Sequence, residues 1–427
     1  MSQHTIRPRL VAGAAIAIGA TLVLAGCTGG GSQADGEQQV DFRWTYSIAA
    51  EESTAYEALA TEYMDAHPEV TIEFDPIPND AYGQTLRTRL QGGNAADLIL
   101  VAPGSGQAQG VVELAEAGFL EPITDETSLS TITPGSEEQF SADGKVYAQP
   151  LENTVTALVV SEGALSAAGV EFPETFEDLL AACPTVAAGG GSMISLAGAV
   201  PPNPGSMAMT VAATQVYAED PEWNAKRTSG DVTFASSPAW KSVMDSIVDM
   251  NAAGCFQQGA AGAGFDAIAS ALASDAAVGA FVPARVAREM REASGGGDYT
   301  VRFFPPKEGG EPFSFETAQY AVSLNAASEQ KDAVRAFMSW LAEPAQALQF
   351  ANFNETLPVV GGDPTNLPAQ YEPVAGLLAE NEYPPVPNTQ WSNAAVNDTL
   401  GSAVQGLLTG QLTPDQVLQR LDDAWGQ

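Results

Sequence analysis

Three cysteines, two histidines and 53 acidic side chains are the residues of this 427-residue chain whose types could support covalent, metal or acid–base chemistry. Cys183 and Cys255 form an even pair once Cys27 is set apart, and in an oxidising compartment one disulfide is the expected use. Two free buried thiols are the alternative. His4 lies near the start, so His67 is the only histidine beyond the first turns of the chain. Its setting, Asp65-Ala66-His67-Pro68, reads as a helix end, where an imidazole meets exposed carbonyls and the proline stops the helix. One histidine and two paired cysteines cannot build a histidine-based hydrolase triad, a Cys-His dyad or a histidine-rich zinc site, so neither a metal nor a cofactor is expected. Carboxylates are the remaining chemistry. Two of them about 5 Å apart, or farther for inversion, could cleave a glycoside. With so many acids a chance pair is easy, and a lipid-anchored glycoside hydrolase stays open as an alternative that turnover of an aryl glycoside would reveal.

Arg7 and Arg9 precede the apolar run Leu10 to Leu24, which ends on the small pair Ala25-Gly26, the layout of a secretion signal. A Cys directly after Leu24-Ala25-Gly26 resembles the lipobox of bacterial lipoproteins. That resemblance implies diacylation of the Cys27 thiol, removal of residues 1–26 and acylation of the new N-terminus. An uncleaved anchor and a plain secretory signal are the alternatives, but the run falls short of the roughly 20 apolar residues of a spanning helix. Several acyl chains, at about 0.8 kcal/mol per CH2, would hold the protein at the outer face of the bacterial cell membrane. Residues 27–39 then read as the acylated Cys and a flexible tether rich in Gly, Ser, Gln and acid.

Removing residues 1–26 leaves 401, which suits two lobes better than one core. Seventeen basic residues against 53 acidic ones give a net charge of −36, or −38 once Arg7 and Arg9 leave. Such a field repels nucleic acid and anionic headgroups, so no nucleic-acid partner is expected, and the scattered acid reads as solubility. A hydrophobic content of 45% argues against disorder.

The elements begin at Val40 to Tyr46, which alternates as a strand, and a helix opens at Glu51 to Thr54 with Tyr56, Leu59, Ala60, Tyr63 and Met64 on one face. A second alternating strand holds Val70, Ile72 and Phe74 and is expected to end at Pro76 and Pro78. Tyr82 to Gln91 returns as a helix, and Asp97 to Val101 is a continuous apolar strand of the buried parallel kind. Strand, helix, strand, helix, strand is a doubly wound pattern, whose ligands sit beyond the carboxyl ends of the strands. The loops that follow Tyr46 and Val101 are therefore the ones that could hold a ligand. Downstream, Thr154 to Val160, Ala276 to Val282, Val301 to Pro306 and Tyr320 to Leu324 read as strands. Helices are expected at 163–172, 176–182, 240–253, 331–341, 392–408 and 414–425, the last capped by Thr413 before Pro414. Residues 184–210, full of Gly, Ser, Ala and Pro, read as irregular loop.

Five stretches in this order resemble one family: Trp44-Thr45-Tyr46, Leu90 to Leu98, Leu114 to Leu120, Asp143 to Pro150 and Phe172 to Leu180. With the later Leu357-Pro358-Val359, Trp391 and Leu412 to Leu418, they look like landmarks of the extracellular solute-binding proteins of bacterial ABC importers, in the carbohydrate-binding group that includes the maltose binder. The resemblance implies an α/β, two-lobed periplasmic-binding-protein-like fold of type II, with hinged lobes of mixed sheets flanked by helices. Lobe one would take residues 40–152 plus 303–342, and lobe two residues 153–302 plus 343–427. It also implies a monomer that captures a sugar or oligosaccharide between the lobes without catalysis and delivers it to ABC transporter permease subunits. A non-sugar solute in the same architecture is the nearest alternative.

Sugars are gripped by aromatic faces and by carboxylates, amides and Arg. Positions matching the family's cleft loops are Tyr46, Ser47 and Glu51; Gln84; Pro103 and Gly104; Asn153 and Thr154; Phe281 and Arg285; Glu316 and Gln319; and Trp391. Two departures bear on the solute. Arg285 stands where many sugar binders carry Gly-x-Trp, and Glu316-Thr317-Ala318 replaces a Gly-Gly-Trp pattern. An Arg285–Glu316 charged pair could suit an aminosugar or a sugar acid, or could close a salt bridge at the rim.

Overall fold

The computed structural model describes residues 39–48, 54–105, 107–133, 135–318, 320–362, 367–381, 383–391 and 394–426. The lipobox, the tether before Gln39, and the cleft candidates Glu51 and Gln319 lie outside the described residues.

The first sheet grows from alternation. Strand β1 (Val40–Ile48) buries Phe42, Trp44 and Tyr46 and exposes Asp41. Helix α1 (Ala55–Ala66) follows, its first turn capped by the Thr54 hydroxyl, which accepts from Glu57 N at 3.2 Å. Strand β2 (Val70–Pro78) pairs with β1 in parallel from Val40↔Val70 to Ile48↔Pro78. Pro76 does not end it, contrary to expectation. β2 is the sheet edge, where a proline removes no bond from a neighbour. Helix α2 (Asn79–Gln91) returns to β3 (Leu98–Val101), wholly buried at the sheet centre. The short β4 (Gln149–Pro150) completes this first pass.

The chain then crosses through β5 (Asn153–Val155) to β6 (Leu158–Ser161) and builds a second lobe: α3 (Phe176–Ala188), β7 (Ser192–Ser195), α4 (Pro202–Ala212), α5 (Pro238–Ala252), β8 (Ala277–Ala280), α6 (Val286–Ala293) and β9 (Tyr299–Arg302). It recrosses through β10 (Glu316–Ala318) to β11 (Ala321–Leu324), α7 (Lys331–Leu341) and α8 (Pro344–Asn354), and ends in α9 (Ala394–Leu408) and α10 (Pro414–Trp425). Sheet orders are β2-β1-β3-β11-β4 and β9-β6-β8-β7, with β10 and β5 forming a two-stranded ribbon. Both sheets are mixed, since β11 runs antiparallel to β3, and β6 antiparallel to β8.

Each sheet has its own core. The first gathers Trp44, Leu59, Tyr63, Leu98, Val101, Val322, Phe337 and Phe350; the second gathers Met207, Phe234, Trp240, Ile247, Phe304, Phe315, Leu400 and Leu421. Phe304 and Phe315 join the second core, and Phe350 of α8 joins the first.

Residues 184–210 are not irregular. Helix α3 continues through Pro184 to Ala188, β7 follows, and α4 starts with prolines in its first turn, where no N–H is needed. Small residues serve close packing between α4 and α9: a Cβ on Gly205 would meet Gly401 Cα at 3.6 Å, and a Cβ on Gly401 of α9 would stand 1.9 Å from the Pro201 carbonyl oxygen. A disulfide joins Cys183 of α3 to Cys255, 72 residues on. The expected start of α10 is present as a full capping box between Thr413 and Gln416.

Candidate functional site

Three passes of the chain between the lobes lie side by side. In the ribbon, Asn153 faces Ala318, Thr154 faces Thr317 and Val155 faces Glu316. The third pass, residues 354–357, adds to the other edge of β5. Asn153 N donates to the Leu357 carbonyl at 2.7 Å, and Leu357 N returns a bond to the Asn153 carbonyl at 2.8 Å.

Polar side chains stitch these passes together. Glu152, buried at 3% exposure, accepts on Oε2 from Asn354 Nδ2 at 2.8 Å and from Thr356 Oγ1 at 2.9 Å. Asn153 Nδ2 donates to Glu316 Oε1 at 2.8 Å and lies 3.2 Å from Thr133 Oγ1 of the first lobe. Burial raises the Glu152 carboxyl above its ordinary value, against the bonds from Asn354 and Thr356 and the charge of Arg285. It raises Glu316 likewise, against the single bond from Asn153.

Arg285 is the N-cap of α6 in the second lobe, yet its electrostatic neighbours include Tyr56 and Tyr320 of the first lobe and Glu152 at the crossing. Burial works against its charge, but Glu289 first, then Tyr320, Glu152 and Tyr56, hold the guanidinium protonated beyond the ordinary Arg range. It forms an ion pair with Glu289 one turn along the same helix. Glu316 bonds Asn153 instead, so the expected Arg285–Glu316 pair is replaced by two separate interactions. Phenols, carboxyls, an amide and a guanidinium thus meet where the lobes join, a set suited to hydrogen-bonding a polyhydroxylated solute. Among the described residues no cluster of three or more His, Cys, Asp or Glu could hold a metal.

The other expected cleft residues divide sharply. Ser47 stands next to last in β1, half-buried, Gln84 is exposed on α2, and Pro103 and Gly104 are buried in the loop after β3. Gly104 takes φ +71°, and its N–H donates to the Gln139 carbonyl at 2.7 Å. Three aromatic rings belong to cores and not to an open cleft wall. Tyr46 is fully buried beside Trp44 and Tyr56, donates its hydroxyl to Glu57, and has its phenol raised by that burial. Phe281 packs at 6.0 Å from Phe304, and its carbonyl accepts from Asn203 Nδ2. Trp391 sits among Phe234, Trp240 and Trp425, with Nε1 donating to Asn224 Oδ1 at 3.3 Å. Glu152, Tyr56 and Tyr320 were not among the expected residues. Glu152 stands directly before Asn153, and Tyr320 directly before an apolar strand, so position beside a crossing was the signal.

The sequence pattern of the bacterial extracellular solute-binding proteins matches residues 49–348, well over half of the chain. The chain belongs to that family. Among curated relatives, it is 28% identical over 137 residues to the maltotriose-binding protein of Pyrococcus abyssi, and 21% identical over 178 residues to the multiple sugar-binding protein of Streptococcus mutans. Those matches take in 31% and 42% of this chain, and the chain spans only 28% and 41% of the two relatives. The fold likeness is far more extensive. A solved structure of RafE in complex with raffinose superposes with a TM-score of 0.72 at 18% identity, covering 90% of this chain and 98% of that one. The two-lobed fold of this solute-binding protein is thereby established.

Proposed function

We propose that this solute-binding protein captures a sugar or short oligosaccharide between its lobes and delivers it to the permease of an ABC importer, without turning it over. The observation that carries the reading is the polar stitching of the three adjacent lobe crossings by Glu152, Asn153 and Glu316, with Arg285 of the second lobe and Tyr56 and Tyr320 of the first in their electrostatic neighbourhood. A solute that bonds groups of both lobes binds the closed form better than the open one and shifts the population toward it. The names of the two curated relatives and of the raffinose complex support a sugar. The lipobox supports attachment through Cys27 at the outer face of the membrane, with the monomer as the working unit.

A thermal-shift screen against monosaccharides, oligosaccharides, sugar acids, amino acids and peptides tests it. A solute at 100 times its dissociation constant stabilises the fold by about 2.7 kcal/mol, so one sugar class should raise the melting point. A rise with peptides or amino acids alone overturns the sugar, and release of nitrophenol from an aryl glycoside overturns binding without catalysis.

A further inference from the structure

Arg285, Arg288 and Arg291 recur every three residues at and along α6, and two of them reach out of the second lobe. Arg288 donates from Nη1 to the Phe353 carbonyl, and its guanidinium lies 4.7 Å from the centroid of the Phe353 ring. Arg291 Nη1 bonds both carboxylate oxygens of Glu355, at 2.6 and 2.7 Å. Phe353 belongs to the last turn of α8 and packs on the first-lobe core, and Glu355 is the residue that caps that helix. The last carbonyls of a helix lack partners and carry partial negative charge, so a guanidinium is well placed there.

Glu355 itself breaks two local preferences. It holds the left-handed conformation at φ 53°, where Gly or Asn is the usual choice, and it sets an acid at the negative end of a helix. Local preferences that lose to a long-range contact mark a place where the contact serves function. The same α6 brings Arg285 within electrostatic reach of Tyr56 and Tyr320.

We propose that Arg288 and Arg291 are positioning residues that fasten α6 to the end of α8, and so set how readily the second lobe closes on the first around a solute. This rests on the solute-binding reading above. Motion that separates α6 from α8 breaks an ion pair, a carbonyl bond and a cation–π contact together, so the closed population, and with it the apparent affinity, follows these contacts. Arg291 is about a third exposed, so dissolved salt weakens its ion pair with Glu355, whereas Arg288 pairs with Glu292 of α6 itself and reaches α8 through the Phe353 carbonyl and ring. Core packing has no such signature.

The test uses the whole chain, titrated calorimetrically with maltotriose and with raffinose at about 50 mM and about 500 mM salt, alongside small-angle scattering without sugar. Glu355→Gly removes the carboxylate while placing at φ 53° the residue that tolerates it best, so folding is kept. Arg288→Met retains an apolar stem, and Arg291→Lys keeps the charge but not the fork of donors. For whichever sugar the wild type binds, Arg288→Met and Glu355→Gly should weaken affinity about 3- to 10-fold, and Glu355→Gly, which removes the ion pair across the lobes, should also flatten the salt dependence. Both should widen the scattering radius of the sugar-free chain, and Arg291→Lys should keep part of each property. Unchanged affinity, salt response and radius in folded Glu355→Gly overturn the latch. A wild type that binds neither sugar counts against the sugar reading alone, because the sugar-free radii still decide the latch.

Discussion

Glu316 is a carboxyl held at the second crossing by one amide, and its burial has a consequence for stability. An acid whose value is raised in the folded state favours folding when protonated. That contribution is complete below the ordinary value of about 4.5 and is lost as pH rises through the raised one. Gln at this position keeps an oxygen for Asn153 Nδ2 and has no proton to lose. Relative to wild type, Glu316→Gln should therefore gain on the order of 1 kcal/mol as pH goes from about 4 to about 7, read as a widening difference in melting temperature. A difference that stays flat over that range means that burial does not disfavour the Glu316 charge. Glu152 shifts in the same direction, but its oxygen takes two bonds, and substitution there disturbs the third crossing as well.

At the scale of elements, the disulfide ties α3 to the segment after α5 within the second lobe. Closing a loop of 72 residues' separation removes chain entropy from the unfolded state worth about 4 kcal/mol. The Cys183→Ala, Cys255→Ala double variant should melt well below wild type, and equal melting temperatures would contradict a structural role. The elements themselves were legible wherever side chains alternated strongly. β1, α1, β3, α7 and α10 stand where their patterns put them. Misreadings arose where small residues or prolines looked like loop but were selected by packing, as in α4 against α9, or by an edge position, as at Pro76. The site was legible to a lesser degree. Sequence placed Asn153 and Thr154 at a crossover and Arg285 in the loop after a strand, because strand ends are visible in the chain. It did not say which way the rings of Tyr46, Phe281 and Trp391 turn, and all three turn inward. Arg285 pairs with Glu289 one turn along α6, a local i, i+4 spacing that the sequence does carry.

For the whole molecule, attachment is the claim most directly open to experiment. Cys27→Ala should shift the protein from the membrane pellet to the soluble fraction or the medium when expressing cells are fractionated, because the acyl chains would have no thiol to join. A variant that still sediments with membranes would remove the lipid anchor from the proposal. The topology carries a different consequence. β11, from residues 321–324, lies between β3 and β4, which end at residues 101 and 150. A polypeptide emerging N-terminus first, from a ribosome or through an export pore, presents β3 and β4 long before the strand that joins them. Until then the older half waits with an open edge, and the half made later closes its own sheet first.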